Sequence, residues 1–139
     1  MGMAKSTARK TTTKEYRETT RGYLFEIVPV SKPRMTRRDR WARRPIVLSW
    51  FTFKDKMISL AEKSGYKVAS ELDIEFHIAM PPSWSKSKRQ LMLGKPHQQR
   101  PDIDNLVKAF LDALCEEDSY VYDIRARKFW SNTGHILIN

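Results

Sequence analysis

The stretch "RPDIDNLVKAFLDAL", Arg100 to Leu114, decides how this chain is read. Ile103, Leu106, Val107, Phe110, Leu111 and Leu114 recur at the spacing of one helix face, which predicts an amphipathic helix over residues 103–114. Two acids, Asp102 and Asp104, stand at its mouth directly after Pro101. Helix capping accounts for such a pair: Asp is a favoured N-cap, and an acid in the first turn complements the helix dipole. Three features favour chemistry instead. Asp104, Lys108 and Asp112 form a polar ridge at i, i+4, i+8, opposite the apolar stripe. Basic segments precede the pair. Further acids follow the helix in "CEEDSYVYD", namely Glu116, Glu117, Asp118 and Asp123. Carboxylates grouped in a positive chain suit a hard divalent cation bridging to phosphate, because such cations take oxygen ligands.

Working outward, "YLFEIVPV" (Tyr23–Val30) is β-branched and aromatic and predicts a first strand. "SKPRMTRRDRWARRP" is an arginine-dense loop carrying Lys32, Arg34, Arg37, Arg38, Arg40, Arg43 and Arg44 around Trp41. The next segment is helical in its second half. Ile46, Trp50, Phe53, Met57, Leu60 and Ala61 recur every three to four residues, Pro45 suits a first turn and Gly65 a stop. "LDIEFHIAM" (Leu72–Met80) alternates cleanly as a strand, with Leu72, Ile74, Phe76, Ile78 and Met80 on one face. A second basic segment holds Lys86, Lys88, Arg89, Lys95 and Arg100 with no acid between them, and a short helical turn fits near residues 86–93. After the helix, "VYDIRARKFWS" alternates as a strand, "NTG" reads as a turn and "HILIN" as a last strand. The fold class expected is α+β, a small mixed sheet with helices packed on one face, in the order β-α-β-α-β-β. Residues 1–20, rich in Thr and Lys, read as a flexible basic tail ahead of a single domain over residues 21–139.

Bulk properties narrow the function. The 139 residues carry a formal charge of +10, and the sequence pI is about 9.9. A polyanionic partner is expected, nucleic acid ahead of an acidic membrane surface. One cysteine, Cys115, excludes an internal disulfide framework, and three scattered histidines exclude a zinc finger of ordinary spacing. No apolar run reaches the roughly 20 residues that span a bilayer, and no apolar segment follows the basic start as in a signal peptide. The expectation is a soluble, cytoplasmic protein with no membrane partner.

"RPDIDNLVKAFLDAL" followed by "EEDSYVYDIRARKF" resembles the signature of the RusA family of Holliday junction resolvases, an Asp-x-Asp-Asn-Leu-x-x-Lys helix leading through an acidic pair into a strand. The preceding "MPPSWSKSKRQLMLGKPHQQ" is similar to the phage and prophage branch. The resemblance covers roughly residues 72–129, with Tyr23–Val30 matching the family's first strand. It implies a crossover junction endodeoxyribonuclease, a homodimer that nicks two opposed strands of four-way DNA in recombination and repair. Mg²⁺ is the cofactor implied, with Mn²⁺ able to replace it, and the nicks leave 5′-phosphate and 3′-hydroxyl ends. The family's catalytic acids fall on Asp102, Asp104 and Asp118, which are also the implied metal ligands, and its lysine falls on Lys108.

On this reading Lys32, Arg34, Arg37, Arg38, Arg40, Arg43, Arg44, Lys86, Lys88, Arg89, Lys95 and Arg100 contact the DNA backbone. Lys108 either serves the site or simply pairs along the helix, and Asp112 is read as its structural partner. Trp41 and Trp84 are read as core or interface rather than base-stacking residues, and His97 as a polar surface residue. Two rivals remain: a non-catalytic module that binds branched nucleic acid, and a less selective structure-specific nuclease.

Overall fold

The computed structural model describes residues 16–18, 22–34 and 44–139. Two short strands, β1 (Tyr16–Glu18) and β2 (Tyr23–Phe25), come first, followed by the long helix α1 (Pro45–Ser64) and strand β3 (Glu71–Ala79). A short helix α2 (Lys86–Met92), helix α3 (Ile103–Leu114), and strands β4 (Asp123–Ser131) and β5 (His135–Ile138) complete the chain. The strands form one mixed five-stranded sheet in the order β1-β2-β5-β3-β4. β3 and β4 run parallel; the other neighbours are antiparallel. The architecture is the α+β arrangement expected from the sequence.

Alternation puts the core on one face of the sheet. Leu72, Ile74 and Phe76 of β3 and Ile136 and Ile138 of β5 are buried. They form one cluster with Trp50, Phe53, Met57 and Leu60 of α1 and Leu106, Ala109 and Phe110 of α3. The apolar stripe foreseen on α3 is therefore the packed one, widened by Ala109 and Ala113, whose small side chains permit close approach. On the opposite face Arg127 donates to Asp73 at 2.5 Å and to Glu75 at 3.3 Å.

Three boundaries depart from the sequence reading. β2 stops at Phe25 although burial alternates as far as Pro29. Its antiparallel partner β5 offers a ladder only to residues 23–25, and Pro29 has no N–H to continue one. Tyr16–Glu18, placed with the tail by composition, pairs with β2, and the Tyr16 hydroxyl donates to the Lys63 carbonyl at 3.2 Å. α1 is helical from Pro45 onward, not only in its second half. Pro45 is already in the first turn, and Val47 and Trp50 bury on the same stripe, so tertiary packing overrides the β-branched start. Gly65 ends the helix as foreseen, at φ 76°, where glycine carries no Cβ penalty.

Candidate functional site

Asp102 occupies the N-cap position of α3 in extended geometry, yet its side chain makes no capping hydrogen bond. That observation removes the ordinary explanation for its presence. Asp104, in the first turn, accepts from the next residue's backbone, Asn105 N–H at 3.0 Å. Both carboxylates are exposed. Asp102 opens on a cleft of about 460 Å³ lined also by Ser31, Arg100, Pro101 and Asn105. A larger hollow, about 980 Å³, lies between α1 and the C-terminal end of α3, but it contains neither Asp102 nor Asp104. The smaller cleft is the one that sets an acid, Asp102, beside an arginine, Arg100, the chemistry a phosphodiester needs.

Two tethers hold the N-terminal end of α3. Lys128, on β4, donates to the carbonyls of Gln99 and Pro101, each at 2.7 Å. Lys32 donates its backbone N–H to the Asn105 carbonyl at 3.2 Å and its ammonium to Asp112 at 3.0 Å. Lys32, expected on the DNA, is thus engaged within the fold, its side chain only 17% exposed. Asp112 is the structural acid foreseen, with Lys32 as its nearer partner and Lys108 at 3.7 Å. The Lys108 ammonium accordingly leans along the helix toward Asp112. It remains 61% exposed.

Asp118 does not join Asp102 and Asp104. α3 is 12 residues long, so about 18 Å of helix separates its two ends. The turn after the helix stays at the far end. There the Tyr120 hydroxyl donates to the Val68 carbonyl at 2.8 Å, and Tyr122 N–H donates to Ser70 at 2.9 Å. β4 then runs back, so that Lys128 rather than any acid returns to the mouth of α3. Among the described residues no group of three His, Cys, Asp or Glu side chains stands close enough to hold a metal ion. The Asp102–Asp104 pair suits a hard cation that takes one or two carboxylates and fills its shell with water and phosphate oxygens; a three-aspartate site within one chain does not fit.

The basic residues divide. Lys86, Lys88, Lys95 and Arg100 are exposed on and after α2. Arg89 is partly buried and donates to the Pro81 carbonyl at 2.8 Å. Arg44 donates to the Arg34 carbonyl at 2.7 Å. Arg37, Arg38, Arg40, Arg43 and Trp41 lie outside the described residues.

Beside α2, Trp84 packs on Trp130 with ring centroids 4.7 Å apart, and Lys88 sits 4.2 Å over the Trp84 ring. His97 is a correction. It is 4% exposed, packs on Trp130 at 4.3 Å and leaves Nδ1 without a partner among the described residues. Burial, and then the nearby Lys128 charge, push its pKa below the ordinary imidazole value. The indole of Trp130 draws it inward, a contact across more than thirty residues that local composition cannot reveal. Lys128, which holds the mouth of α3, was not among the residues that the sequence singled out. Its signal was parity: it shares the inward-facing set of β4 with Ala126 and Trp130, a charge among apolar positions.

No helix among the described residues is long and apolar enough to cross a membrane. No curated protein matches the chain. A family model described as Endodeoxyribonuclease RusA matches residues 24–139, from β2 to the last residue and across both acids. The chain therefore belongs to the RusA family of endodeoxyribonucleases.

Proposed function

We propose that this protein is a divalent-metal-dependent resolvase that nicks four-way DNA junctions in symmetric pairs. The observation that carries the reading is the uncapped, exposed Asp102, which lines a cleft with Arg100 and has Asp104 two residues on at the mouth of α3. Helix capping does not use the Asp102 side chain, so the carboxylate is free for a cation. Asp102 and Asp104 are the residues that would hold Mg²⁺ or Mn²⁺. When bound, such an ion lowers the pKa of its water, polarises the scissile phosphate and stabilises the departing oxygen.

The protein's own residues supply placement. Arg100 beside Asp102 attracts and orients the phosphate. Lys128 holds the Pro101 carbonyl and so fixes the direction in which Asp102 leaves the chain. Lys32 and Asp112 pin the preceding loop to α3. Lys86, Lys88 and Lys95 extend a positive track from the cleft for the DNA backbone. Lys108, exposed and drawn toward Asp112, adds positive charge on the flank of the pair.

A test is cleavage of an end-labelled four-way junction in Mg²⁺ by wild type and by Asp104→Asn. Symmetric nicks that vanish in the variant while junction binding persists support the resolvase. The position of Asp118 away from the pair favours a second reading, a branched-DNA-binding module without hydrolysis. That reading gains if neither protein cuts in Mg²⁺ or Mn²⁺ and both bind equally. Flap, fork and duplex substrates separate a resolvase from a less selective nuclease.

A further inference from the structure

The chain between β3 and α3 runs over residues 80–102, far longer than the roughly four to six residues usual between elements. It is braced on both sides of α2. Ser85 caps α2 by accepting from Lys88 N–H at 3.2 Å, and Arg89 donates to the Pro81 carbonyl at 2.8 Å. Trp84 packs on Trp130 at 4.7 Å. After α2, Gly94 N–H donates to Trp130, Trp130 N–H to Lys95, and His97 N–H to Lys128, so the chain lies along the edge strand β4. Yet α2 itself is 7 residues long and buries none of them. So short a helix does not hold itself in water. These braces hold it, and it stands out from the fold as a knob.

The knob presents Leu91 and Leu93, 66% and 50% exposed. Lys88 lies one turn before Leu91 on the same helix face, its ammonium 4.2 Å from the centre of the Trp84 ring. Lys86 and Lys95, both exposed, flank the leucines along the chain, and residues 80–101 contain no acid. Two aliphatic side chains among cations fit a polyanion that also offers apolar surface. The chain belongs to a family of endodeoxyribonucleases, which makes DNA that polyanion. Along a duplex the apolar faces of the bases are stacked shut, and opening a step costs free energy. At a branch point the stack is already interrupted, so an aliphatic side chain enters there at least cost.

We infer that Leu91 and Leu93 form an apolar wedge that enters the base stack at the branch point of the DNA, with Lys86, Lys88 and Lys95 on the phosphates beside it. The wedge and the acids share one support. Lys128 and Trp130 of β4 hold the chain after α2, and Lys128 also holds Gln99 and Pro101 ahead of Asp102. A branch point seated on the leucines therefore lies at a fixed offset from Asp102. The wedge selects branched over linear DNA and sets where the nick falls. This deepens the resolvase reading and rests on it for the branched substrate.

The test is a four-way junction carrying 2-aminopurine at the branch point, titrated with protein in EDTA so that the strands stay uncut. Wild type should raise the fluorescence as the base unstacks. The double variant Leu91→Gln, Leu93→Gln should leave it at the level of the free junction. Its junction affinity should fall about tenfold, the scale of burying one leucine side chain, while its affinity for linear duplex stays unchanged. Leu91→Phe keeps an apolar wedge and should keep the rise, which separates loss of the wedge from loss of the fold. A rise that survives the double variant, or that Leu91→Phe abolishes equally, overturns the inference. Flat fluorescence beside tight junction binding and paired nicks in Mg²⁺ also overturns it and leaves the resolvase standing. A wild type that binds the junction no better than linear duplex overturns both. Pelleting with phosphatidylserine vesicles that the double variant loses, with junction fluorescence unmoved, assigns the leucines to a lipid surface and overturns the wedge.

Discussion

The Lys128 ammonium donates to the Pro101 carbonyl at 2.7 Å, and so a strand at the sheet edge fixes the residue that precedes Asp102. The same ammonium holds Gln99 at 2.7 Å. Two carbonyls are satisfied by one charge, and the mouth of α3 is registered on β4.

Lys128→Met removes both bonds while keeping most of the side-chain volume. A loss of about 1.5–3 kcal/mol in unfolding free energy is expected, the range for hydrogen bonds to a charged group. Nicking should fall further than folding alone explains, by up to about a hundredfold, because a small displacement of a catalytic group is that costly. Urea titration and junction cleavage on the same preparation read the two effects.

Asp102→Asn should leave stability within about 0.5 kcal/mol of wild type, since its side chain caps nothing. Nicking should drop to background while junction binding holds or improves in the positive field. Thermal melts, cleavage and a gel-shift titration together check this. A melt several degrees lower would mean that the carboxylate has a structural partner after all.

Lys32 and Asp112 form a part-buried pair at 3.0 Å. A double-mutant cycle with Lys32→Ala and Asp112→Ala should give a coupling of about 1 kcal/mol in stability. The salt dependence of DNA binding should not change with Lys32→Ala, as the fold already engages this charge. A slope that becomes shallower would return Lys32 to the DNA.

Lys86, Lys88 and Lys95 are exposed. Replacing all three by alanine should flatten the dependence of log affinity on log salt by about 2.7, at 0.9 per lost phosphate contact. The cleavage pattern on bound junctions should stay the same. Fluorescence anisotropy over a salt series measures the slope.

His97 and His135 are both held below the ordinary imidazole pKa. Burial comes first in each case, followed by Lys128 for His97 and by His77 for His135. Unfolded histidine takes its proton near pH 6.5, and the folded rings take theirs at lower pH. Between those values the unfolded state binds more protons, so stability is full above about pH 6.5 and falls as pH drops. His97→Phe keeps a ring against Trp130 and removes the unpartnered Nδ1. It should hold stability at pH 7.5 and make the decline toward pH 5 shallower, as read from urea midpoints across that range.

Local signals in the chain account for the elements and for the placement of one acidic pair. The period of 3.6 on residues 103–114, the period of two on residues 72–80, and Pro45 and Gly65 at the ends of a helix are local signals. Each survives because neighbouring residues alone produce it. The Asp102–Asp104 pair was legible for the same reason, being two residues apart on one turn. Tyr16–Glu18 was not, because three residues are too few to show a period and only β2 gives them a ladder.

What distant residues do follows from tertiary packing. It drew His97 under Trp130, turned Lys32 onto Asp112, and set Lys128 behind Pro101. It also placed Asp118 at the far end of α3, where the family resemblance had implied company for Asp102. A helix rising about 1.5 Å per residue carries residues close in sequence far apart in space, and the returning strand β4 then brings back a different residue from the one the motif nominates.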